Sequence, residues 1–262
     1  MCELLGVSSL HPLTLEISFQ KLIKRADQGN PDGWGAVFYE KNDAYVFREP
    51  RPASDSRLAD LLGQCGVKSQ LIISHIRRAT TGAIELRNTH PFTREIQGRL
   101  HSFAFNGNLP DVYDLELLMD RFSPIGDTDG EFAFCWLLEQ LTTEAVDGDW
   151  KHTAAVVQSC GRQLAGMGPA NFLYSDSLHL YAFASKRTHS DGLRAPGLYF
   201  HTRHCEPAEE SISCIGLSIK TPDGKEQKLG LVASVPLSEE AWTPFEENQL
   251  MVLENGHFLE AV

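Results

Sequence analysis

Apolar and polar positions along the chain switch between two periods, and the switches mark the elements. Cys2 to Ser8 is a mostly apolar run with the length of a short buried strand. Phe19, Leu22, Ile23 and Ala26 then recur at helical spacing, and Gly29-Asn30-Pro31-Asp32-Gly33 breaks the pattern as a loop. Trp34 to Glu40 and Ala44 to Arg48 predict a strand pair. Ser54 or Asp55 is placed to cap a helix carrying Leu58, Leu61 and Leu62. Leu71 to Ile76 and Ser102 to Phe105 predict two further strands, each running into a glycine-containing motif. Helical periodicity returns over 131–141, with Phe132, Cys135, Trp136 and Leu138 on one stripe, and again over 152–164. The last third reads as strands: Asn171 to Tyr174, His179 to Phe183, Cys214 to Ile219, Leu229 to Val235 and Leu250 to Leu253. Asn255-Gly256 has the composition of a two-residue hairpin turn. Strands on both sides of a central helical block, without internal repeats, predict two sheets covered by helices in a single domain over residues 1–262.

Composition narrows the function classes. A chain of 262 residues with 42% hydrophobic residues can bury a large core. Its formal net charge of −12 argues against nucleic acid and against an anionic membrane surface, both of which favour a basic face, and leaves a small soluble ligand as the expected partner. The six cysteines form no Cys-x-x-Cys pair and no dense framework, so they are expected to be reduced thiols in a cytoplasmic protein. No apolar run reaches the length of a membrane span, and the N-terminus lacks a signal peptide's order.

Candidate chemistry begins at the second residue. Removal of Met1 would leave a thiol and a free α-amine on Cys2. The thiol has a reference pKa of about 8.5 and the amine one of about 7.7–8.0, so one residue supplies a nucleophile and a base usable near neutral pH. Three internal clusters bear on it. In Ser74-His75-Ile76-Arg77-Arg78-Ala79-Thr80-Thr81-Gly82 an apolar strand ends in arginines, whose planar fork matches a carboxylate, although solvated surface charge is the plainer reading. Asn106-Gly107 offers an amide donor beside a backbone N–H, the parts of an oxyanion hole, or an ordinary turn. Asp129, within Gly126-Asp127-Thr128-Asp129-Gly130-Glu131, can pair with an ammonium group, while Thr128 or Asp129 can equally cap the helix that follows.

Taken together, in this order, the clusters resemble the glutaminase domain of class II glutamine amidotransferases, a branch of the N-terminal-nucleophile hydrolases. The residues carrying the resemblance are Cys2, His75 to Thr80, Asn106-Gly107 and Thr128 to Glu131. Asp32 to Gly35, Asn88 to Thr93, Asn171 to Asp176 and Pro236 to Ser238 with Trp242 extend it to stand-alone bacterial members, over nearly the whole chain.

The resemblance implies an α+β fold, a four-layer αββα sandwich. It implies Cys2 as nucleophile with its own amine as base, Asn106 and Gly107 as oxyanion donors, Arg77 with Thr80 on the substrate α-carboxylate, and Asp129 on the α-ammonium. His90 is expected outside the first contacts, in support. Neither a metal nor an organic cofactor is called for. The matched segments run to the end of the chain, leaving no acceptor domain. Either a separate ammonia-accepting enzyme takes the product, or the chain hydrolyses glutamine or another γ-glutamyl amide. Two competing expectations are a catalytically silent glutamine-binding subunit and a zinc-binding module built on His201, His204, Cys205 and Cys214.

Overall fold

Strand 71–76 and strand 102–105 meet face to face from different sheets, and that juxtaposition sets the architecture. The computed structural model describes residues 2–17, 32–118, 121–144, 149–206, 211–214, 217–220 and 225–259; the helical stripe expected from Phe19 to Ala26 lies outside them. One sheet has the order β15 (Thr243–Pro244), β11 (Tyr199–Cys205), β14 (Gln227–Ala233), β1 (Glu3–Ile17), β4 (Lys68–Arg77), β2 (Gly33–Glu40) and β3 (Asp43–Glu49). The strand β13 (Leu217–Lys220), itself paired antiparallel with β12 (Ser211–Cys214), pairs onto β1. The second sheet has the order β17 (His257–Leu259), β16 (Gln249–Glu254), β8 (Leu180–Ala184), β7 (Ala170–Ser175), β6 (Arg99–Gly107) and β5 (Phe92–Ile96). A small ribbon of β9 (Arg187–His189) and β10 (Gly192–Arg194) stands apart. The helices are α1 (Arg57–Cys65), α2 (Asp129–Thr143) and α3 (Trp150–Met167).

Because successive strand residues face opposite sides, each sheet contributes to two cores. Leu4, Val37, Ile73, Ala104, Leu173 and Val232 meet between the sheets. Leu5, Val7, Phe38 and Ile72 face outward onto Ala59 and Leu62 of α1. Phe103, Phe172, Tyr181 and Phe183 face the other way, onto Phe134 and Leu137 of α2 and Val157 and Leu164 of α3. The result is the four-layer αββα sandwich that the resemblance implied. Among the described residues, no helix is long and apolar enough to cross a membrane.

Local differences from expectation have physical causes. The first strand runs on to Ile17, because a register shift between Ser8 and Leu13 absorbs Pro12 and lets pairing with β4 resume. Helix α1 is capped by Ser56, whose hydroxyl accepts from the Ala59 N–H, while Ser54 and Asp55 belong to a preceding 3-10 turn. Ala59 and Leu62 are buried and Leu61 is exposed, so the apolar stripe is rotated from the expected one. The run expected as one strand from Cys214 to Ile219 falls on the antiparallel pair β12 and β13. Asn255-Gly256 does join β16 to β17, with both residues at positive φ, 48° and 80°.

Leu173 is fully buried at the centre of the inter-sheet core. Leu173→Ala should destabilise the fold by about 2–5 kcal/mol, read from urea unfolding midpoints. A loss below about 1 kcal/mol would mean that the two sheets close over the gap.

Candidate active site

Cys2 lies at the start of β1, on the side of the strand that carries Leu4 into the inter-sheet layer. Its sulfur meets the backbone of Arg78: the Arg78 N–H donates to Sγ at 3.1 Å, and the thiol reaches the Arg78 carbonyl at 3.3 Å. Burial pushes the thiol pKa up, and the Arg78 N–H and the Arg77 charge pull it back. From the opposite sheet, Asn106 Nδ2 donates to the Cys2 carbonyl at 2.7 Å. A primary amide has two N–H donors, so among the described residues the second remains for a ligand. Asn106 is itself seated by Asn171, whose Nδ2 donates to the Asn106 carbonyl at 3.1 Å and to the Lys186 carbonyl at 2.8 Å. Gly107 is required by close approach, since a Cβ there would lie 2.0 Å from the Pro169 carbonyl oxygen.

The arginine segment closes over this point. Arg77, 3% exposed, donates from Nη1 to the Ala83 carbonyl at 3.1 Å and from Nη2 to the carbonyls of Thr81 and Gly82 at 3.0 and 3.1 Å. The guanidinium therefore shapes the loop that follows it. Thr80 is exposed on that loop. Asp32 fastens the near side, its Oδ2 accepting from the Ala79 N–H at 2.7 Å and its own N–H donating to the Arg77 carbonyl. Gly82, at φ +75°, packs so closely that a Cβ would touch Asp127 Oδ1 and Asn88 Nδ2, each at 2.9 Å.

Asn88 joins the arginine segment to the aspartate segment. Its Nδ2 donates to the Ala83 carbonyl and its Oδ1 accepts from the Asp127 N–H, at 3.1 and 3.0 Å, and the residue is fully buried. Beyond it α2 begins, with the Thr128 hydroxyl as its cap. Glu131 completes that turn by accepting from the Gly126 N–H and pairing with Arg94 at 2.7 Å. Asp129, 8% exposed, accepts from the N–H groups of Leu109 and Gly130, both at 2.9 Å; burial still raises its pKa. A buried carboxylate so placed is improved by any added cation.

His90 is buried with His75, their ring centroids 4.5 Å apart. Burial depresses both pKa values, that of His75 to about 3, so both rings are neutral at physiological pH. The structure thus gathers Cys2, Asn106, Gly107 and the Arg77–Thr80 segment around one point. Asn88 ties the Asp129 segment to that group, and His90 sits behind it. His201 and His204 face separate acidic partners, Glu240 and Glu226. Among the described residues, no three His, Cys, Asp or Glu side chains cluster to hold a metal ion.

One arrangement behind Cys2 carried no local sequence signal. Glu3 Oε1 pairs with Arg187 Nη2 at 2.7 Å although 184 positions separate the two residues. Arg187 also donates to the Ser234 carbonyl, and the Ser234 hydroxyl accepts from the Leu4 N–H at 3.0 Å. This network fixes the residues immediately after Cys2.

Comparisons with known proteins show the family. The sequence profile described as "Glutamine amidotransferases class-II" matches residues 1–262. The chain belongs to the class II glutamine amidotransferases. It is 39% identical over 200 residues to "Putative glutamine amidotransferase YafJ" of Escherichia coli (strain K12), covering 75% of this chain and 78% of that protein. A "Putative glutamine amidotransferase" of Haemophilus influenzae is 33% identical, covering 100% of this chain and 87% of its own. Among solved structures, a predicted glutamine amidotransferase from Pseudomonas aeruginosa superposes with a TM-score of 0.72 at 27% identity, covering 99% and 100% of the two chains. Glutamine phosphoribosylpyrophosphate amidotransferase from B. subtilis shares the fold at a TM-score of 0.60 and 15% identity, covering 98% of this chain and 48% of that one.

The Glu3–Arg187 pair generates a pH-dependent prediction. Glu3 is 4% exposed and its pKa is raised by burial, with Arg187 opposing the rise. Arg187→Met leaves that carboxylate uncompensated, at a cost of about 3–5 kcal/mol at neutral pH. A carboxyl whose folded pKa is raised favours the fold below its unfolded pKa and loses that favour as pH rises through the folded value. Urea midpoints should therefore show a larger penalty for the variant at pH 8 than at pH 4.5. An equal penalty at both would mean that the arginine acts through packing alone.

Proposed function

We propose that the chain carries the glutaminase half-reaction: hydrolysis of the side-chain amide of glutamine through a γ-glutamyl thioester on Cys2, giving glutamate and ammonia. The observation that carries the reading is the 2.7 Å contact of Asn106 Nδ2 with Cys2, which places an amide donor from one sheet against a thiol-bearing residue of the other. Removal of Met1 would make the Cys2 nitrogen a free amine. That amine accepts the thiol proton as sulfur bonds to the amide carbon. The oxyanion is held by the second N–H of Asn106 and the Gly107 N–H. The C–N bond then breaks, and the leaving nitrogen takes the proton back from the terminal ammonium and departs as ammonia. Water, deprotonated by the same amine, attacks the thioester, and glutamate leaves as the C–S bond breaks. Asp129 takes the substrate ammonium. Its carboxylate is already buried and, among the described residues, has no cationic partner.

Arg77 is assigned to the α-carboxylate with the Thr80 hydroxyl beside it. Three carbonyls occupy part of its guanidinium, leaving Nε–H and one Nη1–H without a protein acceptor among the described residues. That partial occupation and its 3% exposure favour a second reading, a larger γ-glutamyl amide whose carboxylate binds elsewhere.

Two measurements test these assignments. Glutamate release from glutamine should vanish in Cys2→Ala. In Asn106→Ala, kcat should fall roughly a hundred-fold with little change in KM; a small kcat effect with a large rise in KM would make Asn106 a ground-state binder. For the substrate ends, the parent enzyme should reject glutamine's α-carboxamide and desamino analogues strongly. Arg77→Ala should barely distinguish glutamine from the carboxamide, and Asp129→Ala should barely distinguish it from the desamino compound. Equal turnover of glutamine and both analogues by the parent would favour the larger substrate.

A further inference from the structure

Behind the site, His75 and His90 are polar side chains in a place that has no evident use for polarity. His75 Nε2 lies 3.1 Å from the Phe105 carbonyl oxygen. A carbonyl only accepts, so Nε2 carries the proton and Nδ1 is left as a buried acceptor without a partner among the described residues. His90 buries both ring nitrogens with no partner among the described residues, its ring packed between His75 at 4.5 Å and Phe92 at 4.2 Å. A phenyl ring would fill the His90 space without leaving polar atoms unsatisfied, whereas at position 75 it would take the donor away from the Phe105 carbonyl.

The location gives His75 a task. The β5–β6 ladder ends at the Phe92–Phe103 pair, two residues before Phe105, and the His75 ring supplies a donor to the Phe105 carbonyl beyond that end. That carbonyl belongs to the peptide leading into Asn106. Its orientation and the aim of the Asn106 side chain are coupled through one peptide plane. His90 backs the ring and also touches the first turn of α2, where a Cβ on Gly130 would lie 2.8 Å from His90 Nε2 and 3.1 Å from the Phe105 ring.

We propose that His75 is a positioning residue for the oxyanion donor: its Nε2–H fixes the Phe105–Asn106 peptide so that Asn106 Nδ2 stays aimed at the reacting carbonyl. His90 serves as the wedge that holds the His75 ring in plane. The inference rests on Asn106 acting as an oxyanion donor. A displacement of a fraction of an ångström in such a donor costs rate while leaving ground-state binding nearly intact.

The test is a set of single substitutions assayed for glutamate release, each also melted thermally. His75→Phe keeps the ring and removes the donor; kcat should fall roughly ten-fold or more, with KM unchanged within about two-fold. His75→Gln places an amide nitrogen near the Nε2 position and should recover most of that loss. His75→Asn, whose nitrogen falls near Nδ1, should not. His90→Phe keeps the wedge and deletes the two unsatisfied nitrogens, so it should raise the melting temperature and leave kcat within about two-fold. Loss of activity in His75→Phe that follows melting temperature and is not recovered by Gln would overturn the positioning role. A ten-fold loss in His90→Phe would overturn the wedge assignment. Asn106→Ala is run alongside: a large kcat loss there with none in His75→Phe refutes this inference alone, whereas no loss in Asn106→Ala refutes the oxyanion assignment beneath it.

Discussion

The site exists only while two separate sheets keep their spacing and register. Cys2 belongs to the sheet built on β1 and β4, and Asn106 belongs to the one built on β6 and β7, so the 2.7 Å contact between them is set by the core that separates those sheets. Leu4 on the strand of Cys2 and Ala104 on the strand of Asn106 both face that core. A shift of one residue in either strand would turn Cys2 or Asn106 toward an outer layer. This explains why the polar groups cluster where the inter-sheet apolar layer stops: Leu71 and Ile73 on β4 give way to His75 and Arg77 on the same face. Leu173 and Ala104 likewise give way to Asn171 and Asn106.

Around that point the buried polar residues join segments that sequence separates. Asn88 spans the arginine and aspartate loops, Asn171 seats Asn106, and the Glu3–Arg187–Ser234 network anchors the strand just after Cys2. Each exchanges hydration for directed hydrogen bonds inside a low-dielectric layer, an arrangement costly to leave partly satisfied. Among the described residues, Glu3 Oε2, His75 Nδ1 and both His90 nitrogens lack a partner, and all lie close behind the proposed chemistry.

Much of this was legible from sequence, for reasons that differ by residue. Strand and helix order followed from hydrophobic period, and the turn at Asn255-Gly256 from the tolerance of those residues for positive φ. Cys2 stood out by its place directly after Met1, and Arg77, Asn106 and Asp129 stood out because polar or charged motifs sit at the ends of apolar strands or ahead of a helix. The cap of α1 did not, because Ser54, Asp55 and Ser56 are chemically equivalent caps and only the backbone turn selects Ser56. The length of β1 was hidden by Pro12, which a bulge accommodates. The partners of Glu3 and Asn88 could not be read, because pairings across 184 or 39 positions leave no local period. Nor did the motif show that the Arg77 guanidinium binds the carbonyls of its own loop.

We propose that Cys2, freed of Met1, is the nucleophile of a glutamine-binding site. A general alkylating reagent would not isolate it, since Cys65 is exposed. The direct measurement is the intact mass of the protein before and after incubation with a diazo-ketone analogue of glutamine, followed by peptide mapping. A chain lacking Met1 should gain a single adduct on Cys2, with glutamine protecting against it. Equal labelling of a chain that retains Met1, or an adduct confined to Cys65, would contradict it.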